Sequence, residues 1–288
     1  MSIRNQAMLV NLTVHGWNPS KEDVSVTDEA HILHGASSRA GRYIKRLIAA
    51  KYTNPISAAE RRIRVYVQQH TVPWDDFGFR ALRSDQFFKF REGYDKAVSD
   101  YDKTVKTFVN EYQRIISDQK NELGSMFKES DYPDAGIVQS KYGADLTIRP
   151  IQESENFIVQ ATDEDAAYIK DKMEKDVLSS MQSALSDPWE RLYETISDVA
   201  RRLALSPDVK EGVFTKKTTM KLEKLLDQLP LLNISGDPHL DELNEQAKKL
   251  LVNPAELRVF PDTRAEAKNT ADDILKKMSG YLGESAES

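Results

Sequence analysis

Cysteine is absent from the 288 residues, so no disulfide, zinc–thiolate centre or thiol nucleophile can be built from this chain. Glycine is scarce, at 12 residues, and the glycine-bearing signatures are missing with it. There is no phosphate loop, no dinucleotide fingerprint and no Gly-x-Ser-x-Gly elbow. No window approaches the roughly 18 consecutive apolar residues of a membrane span. The opening Met1–Ala7 carries one cation, Arg4, and the apolar run from Met8 to Val14 is broken by Asn11 and Thr13. That run is too short and too polar for the core of a secretory signal. An excess of positive charge is lacking as well: the net charge of −6 gives no general attraction to nucleic acid. These absences predict a soluble, cytoplasmic, non-catalytic protein without a cofactor and without a membrane partner.

What the chain does contain is helical periodicity. Tyr94, Val98, Tyr101, Val105, Phe108, Tyr112 and Ile115 step 4-3-4-3-4-3. An apolar period of about 3.5 residues marks a seam that another helix must cover. The helix carrying it is expected over 85–127, stopped by Ser130-Asp131-Tyr132-Pro133-Asp134. A second long helix is expected from Thr162 to Leu205, with Leu185, Trp189, Leu192, Ile196, Val199 and Leu203 at the same spacing. Asp187-Pro188 predicts a kink or a fresh start within it. Two such stripes joined by a compact insert read as an antiparallel hairpin.

The remaining elements are read more locally. Val10, Leu12 and Val14 alternate with Asn11, Thr13 and His15, the pattern of a half-buried strand. Ser25–Glu29 reads as a short extended piece leading to a helix near Ala30. Tyr43, Ile44, Leu47 and Ile48 suggest a helix from Ser38 to Ala50, broken by Thr53-Asn54-Pro55, with another from about Ser57. Leu146–Arg149 and Asn156–Val159 read as a hairpin of two short strands, and joining the N-terminal strand to them in one sheet requires the insert to fold back. Further helices are expected from Phe214 to Leu229, from Pro238 to Leu251, from Pro254, and from Asp262 to Met278 with Gly280 as the stop.

The expected fold is therefore mainly α: a long antiparallel, coiled-coil-like helical hairpin with a small β element and a C-terminal helical group. Residues 1–85 hold the N-terminal strand, helices and a basic block. Residues 86–205 form the hairpin with its β-hairpin insert at about 132–160. Residues 206–288 are helical, with the tail 283–288 disordered.

Three candidate sites stand out. From Gly35 to Arg64 there are eight cations, namely Arg39, Arg42, Lys45, Arg46, Lys51, Arg61, Arg62 and Arg64, against one acid, Glu60. In an acidic chain that block suggests a phosphate-backbone contact, with Arg39, Arg42 and Arg46 on one helical face; the alternative is a solvated or acid-paired surface. The stripe Tyr94–Ile115 is the second candidate, as a surface shared with a protein partner or a second copy of the chain. Its aromatic rings have the residue types of a base-stacking platform, but heptad spacing favours a helix core. His15, His31 and His34, with Asp28 and Glu29 near, have the residue types of a metal site, as an alternative enzyme reading. His70 beside Asp75 and Asp76 is better read as a loop around Pro73-Trp74, with the acids capping the next turn.

Several segments in order resemble a family of tailed-bacteriophage and prophage proteins of unknown function. They are Leu12-Thr13-Val14-His15-Gly16-Trp17, Gly41–Ile48, Val72-Pro73-Trp74-Asp75-Asp76, Asp131-Tyr132-Pro133-Asp134, Leu229–Pro238 and Ala271–Met278. The similarity spans nearly the whole chain but includes no mechanism-bearing motif. The resemblance implies a setting, the cytoplasm of an infected bacterium, and gene neighbours in replication, recombination or AAA-type ATPase function. Together these features predict an accessory protein that binds another protein through its helical arm, as an adaptor in phage DNA metabolism or a modulator of a host system. Nucleic-acid binding through the basic block is the alternative.

Overall fold

The structure, a computed structural model, describes residues 6–151 and 163–284. In chain order the elements are β1 (Ala7–His15), β2 (Ser20–Glu22), α1 (Val24–His34), β3 (Ile44–Arg46), α2 (Ala50–His70), β4 (Val72–Pro73), β5 (Arg80–Arg83), α3 (Phe87–Asn110), α4 (Tyr112–Leu123), α5 (Ala135–Ser140), β6 (Gly143–Pro150), α6 (Asp163–Ala204), α7 (Lys216–Leu232), α8 (Pro238–Ala247), α9 (Pro254–Val259) and α10 (Pro261–Glu284). Mainly α is correct. A four-stranded sheet has the order β4-β5-β1-β6, and β2 and β3 form a two-stranded antiparallel pair. The insert strand thus folds back to the N-terminal strand; the expected strand at 156–159 lies outside the described residues, as does the end of the tail.

The chain divides into two compact units, neither of them one continuous stretch. One takes Met1–Asn11, Gln68–Phe90 and Ile148–Ser288; the other takes Leu12–Val67 and Arg91–Thr147. These boundaries cut across the three consecutive blocks expected from sequence: α3 and α4 pack with Trp17 and α2, from the first block, and α6 packs with α7, α8 and α10, from the third.

In the first unit, β5 pairs antiparallel with β1, Ala7 opposite Arg83 and Val10 opposite Arg80. Asp75 accepts the N–H groups of Phe77 (3.0 Å) and Phe79 (2.9 Å), so the Pro-Trp-Asp-Asp stretch is the capped loop expected of it, with Trp74 buried. The main core gathers Trp189, Leu192, Ile196, Val199 and Leu203 of α6 with Leu222, Leu226 and Leu229 of α7, Leu240 and Leu243 of α8 and Ala271, Ile274 and Met278 of α10. The second stripe is therefore covered by α7, α8 and α10, not by the first stripe. α6 runs through Pro188 as one element of 42 residues, and α10 likewise runs through Gly280. Arg264 ends α6: its guanidinium donates to the carbonyls of Arg202 (2.6 Å), Leu203 (3.2 Å) and Leu205 (2.8 Å), and also to Leu257 and Gly212. A buried cation at a helix C-terminus satisfies carbonyls that have no intrahelical donor and opposes the negative end of the dipole. Burial holds this guanidinium below its ordinary pKa.

In the second unit, α2 lies antiparallel to α3 and α4. The start of α2 and the residue before it meet α4, where Ala49 N–H donates to Gln119 Oε1 at 2.9 Å and Tyr52 donates to Asp118 at 2.6 Å. Near its far end, the Tyr66 ring lies over Gly93 of α3, where no side chain would fit. The stripe of α3 and α4 is buried at Tyr94, Tyr101, Val105, Phe108, Tyr112 and Ile115, with Val98 half-buried. Part of its cover is not helix at all. Tyr101 donates to the His15 carbonyl at 2.9 Å, Tyr94 to the Ala144 carbonyl at 3.3 Å, and Trp17 meets Tyr112 edge-on at 5.9 Å. The antiparallel pairing of the two stripes is thus replaced by two separate packings. Desolvation pushes the Tyr94, Tyr101 and Tyr112 hydroxyls up to about 12.

Candidate functional site

The distinctive part of the second unit is the lobe made by β2, α1 and β3. Three residues of β3 pair with β2, and the alternation of side chains along a strand sends Lys45 inward while Ile44 and Arg46 face out. The expected helix at 38–50 is absent: residues 35–43 are loop and 44–46 strand. Likewise 25–29, expected to be extended, lies inside α1. The sequence favoured a helix there because Tyr43, Ile44, Leu47 and Ile48 happen to share a 3–4 spacing. Pairing with a strand more than 20 residues away overrides that local preference.

Inside the lobe, Lys45 Nζ lies 2.9 Å from Asp23 Oδ2 and 2.8 Å from Asp131 Oδ2, and it donates to the Met126 carbonyl at 2.7 Å. Lys21 reaches Asp131 at 2.6 Å. Two ammonium groups thus face two carboxylates. Asp23 also caps α1, taking the Val26 N–H at 3.4 Å, and the helix closes on Gly35 in the left-handed region at φ 59°. The hydrogen bond from Lys45 holds the Asp23 carboxyl below its ordinary range. Burial pushes Asp131 up, but the hydrogen bonds from Lys21 and Lys45 more than reverse it. Burial likewise pushes Lys45 down, and its bonds to Asp131 and Asp23 carry it above its ordinary value. Each of these three shifts favours the charged form, so Asp23, Asp131 and Lys45 meet as ion pairs.

Outside the lobe the composition changes. Ile32 and Leu33 are 82% and 80% exposed at the end of α1, and Val24, Tyr43 and Ile44 are exposed near its start. Tyr43 is pinned along α1: its N–H donates to Thr27 Oγ1 at 2.9 Å and its carbonyl accepts from Asp23 N–H at 2.9 Å. Arg39, Arg42 and Arg46 are exposed on the same small lobe, and Arg42 is 3.6 Å from Glu22. Apolar and arginine side chains on a rigid, outward-facing element have the composition of a protein-binding surface.

The structure distributes the other sequence candidates differently. Lys45 leaves the basic block for the interior. Arg61 and Arg62 are exposed on α2, while Arg64 pairs with Glu60 at 2.8 Å. Arg39, Arg42 and Arg46 share a lobe but not a helix face. The stripe Tyr94–Ile115 is core and offers no partner surface. The structure does not bring the three histidines together: among the described residues no group of three or more His, Asp or Glu is placed to hold a metal ion. His31 sits 3.0 Å from the Gly41 carbonyl, His15 is 3.4 Å from Asp145, and His34 is exposed beside the cap of α1. Sequence reasoning missed Asp23, Asp131, Ile32 and Leu33. Periodicity could not have flagged them: Val26, Ala30 and Leu33 step 4-3, a spacing that reads as a buried stripe, yet Ala30 and Leu33 are exposed.

No described helix is long and apolar enough to cross a membrane. Comparison with known proteins finds nothing: no family model matches the chain, no curated protein matches it, and no solved structure matches its fold.

Proposed function

We propose that the protein is a non-catalytic docking protein whose contact surface is the outer face of the α1–β3 lobe, and that its partner is a protein surface combining apolar and acidic groups. The observation that carries this reading is the near-complete exposure of Ile32 and Leu33 on an element held by a buried ion-pair clamp. Covering two such aliphatics is worth about 1.5–3 kcal/mol each. A surface that is already rigid loses little entropy on binding. Arg39, Arg42 and Arg46 supply orientation and charge selectivity. The setting that goes with it, a bacterium carrying a tailed phage or prophage, rests on the sequence resemblance alone. The role as an adaptor or as a modulator of a host system follows that setting.

The test places a photo-crosslinking residue at Leu33 and, as a control, at Ser99, in cells that carry the native gene. A discrete protein adduct at position 33 that is absent at 99 and lost with Ile32→Asp supports the reading. No adduct at either position, or equal adducts at both, overturns it. Salt-sensitive binding to duplex DNA that is lost with Arg39, Arg42 and Arg46 all changed to alanine, but untouched by Ile32→Asp, would instead favour nucleic acid as the partner.

A further inference from the structure

The first unit carries a groove of about 630 Å³ where the start of α7 faces α9. Its floor is apolar, with Phe214, Met220 and Pro254 contributing. Three charged side chains line it, Lys216, Arg258 and Glu223, and none of them makes an ion pair among the described residues. Thr219 lines it too, and its hydroxyl oxygen is buried with no hydrogen-bond partner. A threonine in a helix usually returns its hydroxyl to the carbonyl four residues back. Here that carbonyl, of Thr215, takes the N–H groups of Thr218 and Thr219 and not the Thr219 hydroxyl. Threonine has two accessible χ1 rotamers in a helix, so the hydroxyl can turn toward a ligand without giving up a bond.

The charges give the groove a direction. Lys216 opens α7, the first-turn amides lie at the positive end of its dipole, and Arg258 projects from α9. Glu223, one turn beyond Thr219, makes the other end negative. A bare inorganic anion would leave the apolar floor wet, and a neutral hydrocarbon would leave two cations and a hydroxyl unmatched. A dicarboxylate would meet Glu223. The volume is that of a small-molecule site. We propose that this groove binds a small amphiphilic monocarboxylate, with the carboxylate at Lys216, Arg258 and Thr219 and the apolar part on Phe214, Met220 and Pro254.

The experiment titrates the full chain with decanoate below its micelle concentration, and in parallel with decanol and decyltrimethylammonium, following backbone amide resonances. The expected result is saturable binding of decanoate with shifts confined to residues near 214–223 and 253–258, and at least tenfold weaker binding of the other two. Lys216→Gln combined with Arg258→Gln should weaken decanoate by about tenfold or more. Ala255→Trp, which fills the groove from an exposed position, should abolish binding with the melting temperature unchanged. Equal affinity for the three amphiphiles, shifts elsewhere on the molecule, or no saturation would each overturn the proposal.

Discussion

Lys45 stands in the sequence as one of eight cations in a thirty-residue stretch, yet its ammonium is the centre of a dry, neutral cluster. Ion pairs of that kind cost more to break than they contribute when made, because the partner left behind is a buried bare charge. Lys45→Met should therefore destabilise the second unit by about 3–5 kcal/mol. The triple variant with Asp23→Asn and Asp131→Asn should recover much of that loss, which urea unfolding would measure. A second contrast sits in the buried tyrosines. Tyr101 donates to the His15 carbonyl, whereas the Tyr112 hydroxyl is buried with no partner among the described residues. Tyr101→Phe should cost about 1 kcal/mol, and Tyr112→Phe should be neutral or stabilising. Equal losses would contradict the geometry. Neither contrast was legible in the sequence, since the bonds join residues 22 to 110 apart.

At the scale of elements, what was legible was what is determined locally. α7, α8 and α9 begin at Thr215, Asp237 and Asn253, whose side chains accept a first-turn N–H, and Pro238 and Pro254 follow the last two. Those starts are written in a few adjacent residues and were read within two positions. β3 was misread because its conformation depends on pairing with β2, more than 20 residues away, whereas the start of α1 was missed although its cap, Asp23, is adjacent to it. The ion pairs around Lys45 make the lobe acid-sensitive. Asp23 and Asp131 have folded pKa values below the ordinary carboxylate range. Their contribution is therefore fully present above about pH 4, the unfolded carboxylate range, and is lost as pH falls below it through the folded values. Hydrogen exchange of residues 21–46 should accelerate selectively below that pH relative to α2, after correction for the intrinsic rate. Uniform acceleration across the second unit would show that the clamp does not govern the lobe. Where α2 crosses α3, Gly93→Ala forces the Tyr66 ring to move. The gain of about 1 kcal/mol in helix propensity should be outweighed, giving a net loss that Tyr66→Ala removes in a double-mutant cycle.

At the scale of the whole molecule, two long helices with matching stripes were legible, and the natural inference was that they zip together. A heptad stripe says only that its face is covered; it carries no address for the cover. In the structure, Trp17, His15, Tyr142 and α2 supply it for α3 and α4, while α7, α8 and α10 supply it for α6. The two alternatives make opposite predictions for fragments. Residues 86–205, a self-sufficient hairpin by sequence, should not fold alone, because both stripes lose their partners: circular dichroism should show a non-cooperative melt with low helicity. Residues 163–284 keep the whole core of α6, α7, α8 and α10, together with the Arg264 cap on α6. That fragment should melt cooperatively, with reduced stability because Ala184, Leu232 and Ile234 lose contacts with Val72, Trp74 and Ala81. A cooperative 86–205 fragment beside an unfolded 163–284 fragment would restore the zipped hairpin and refute the packing described above.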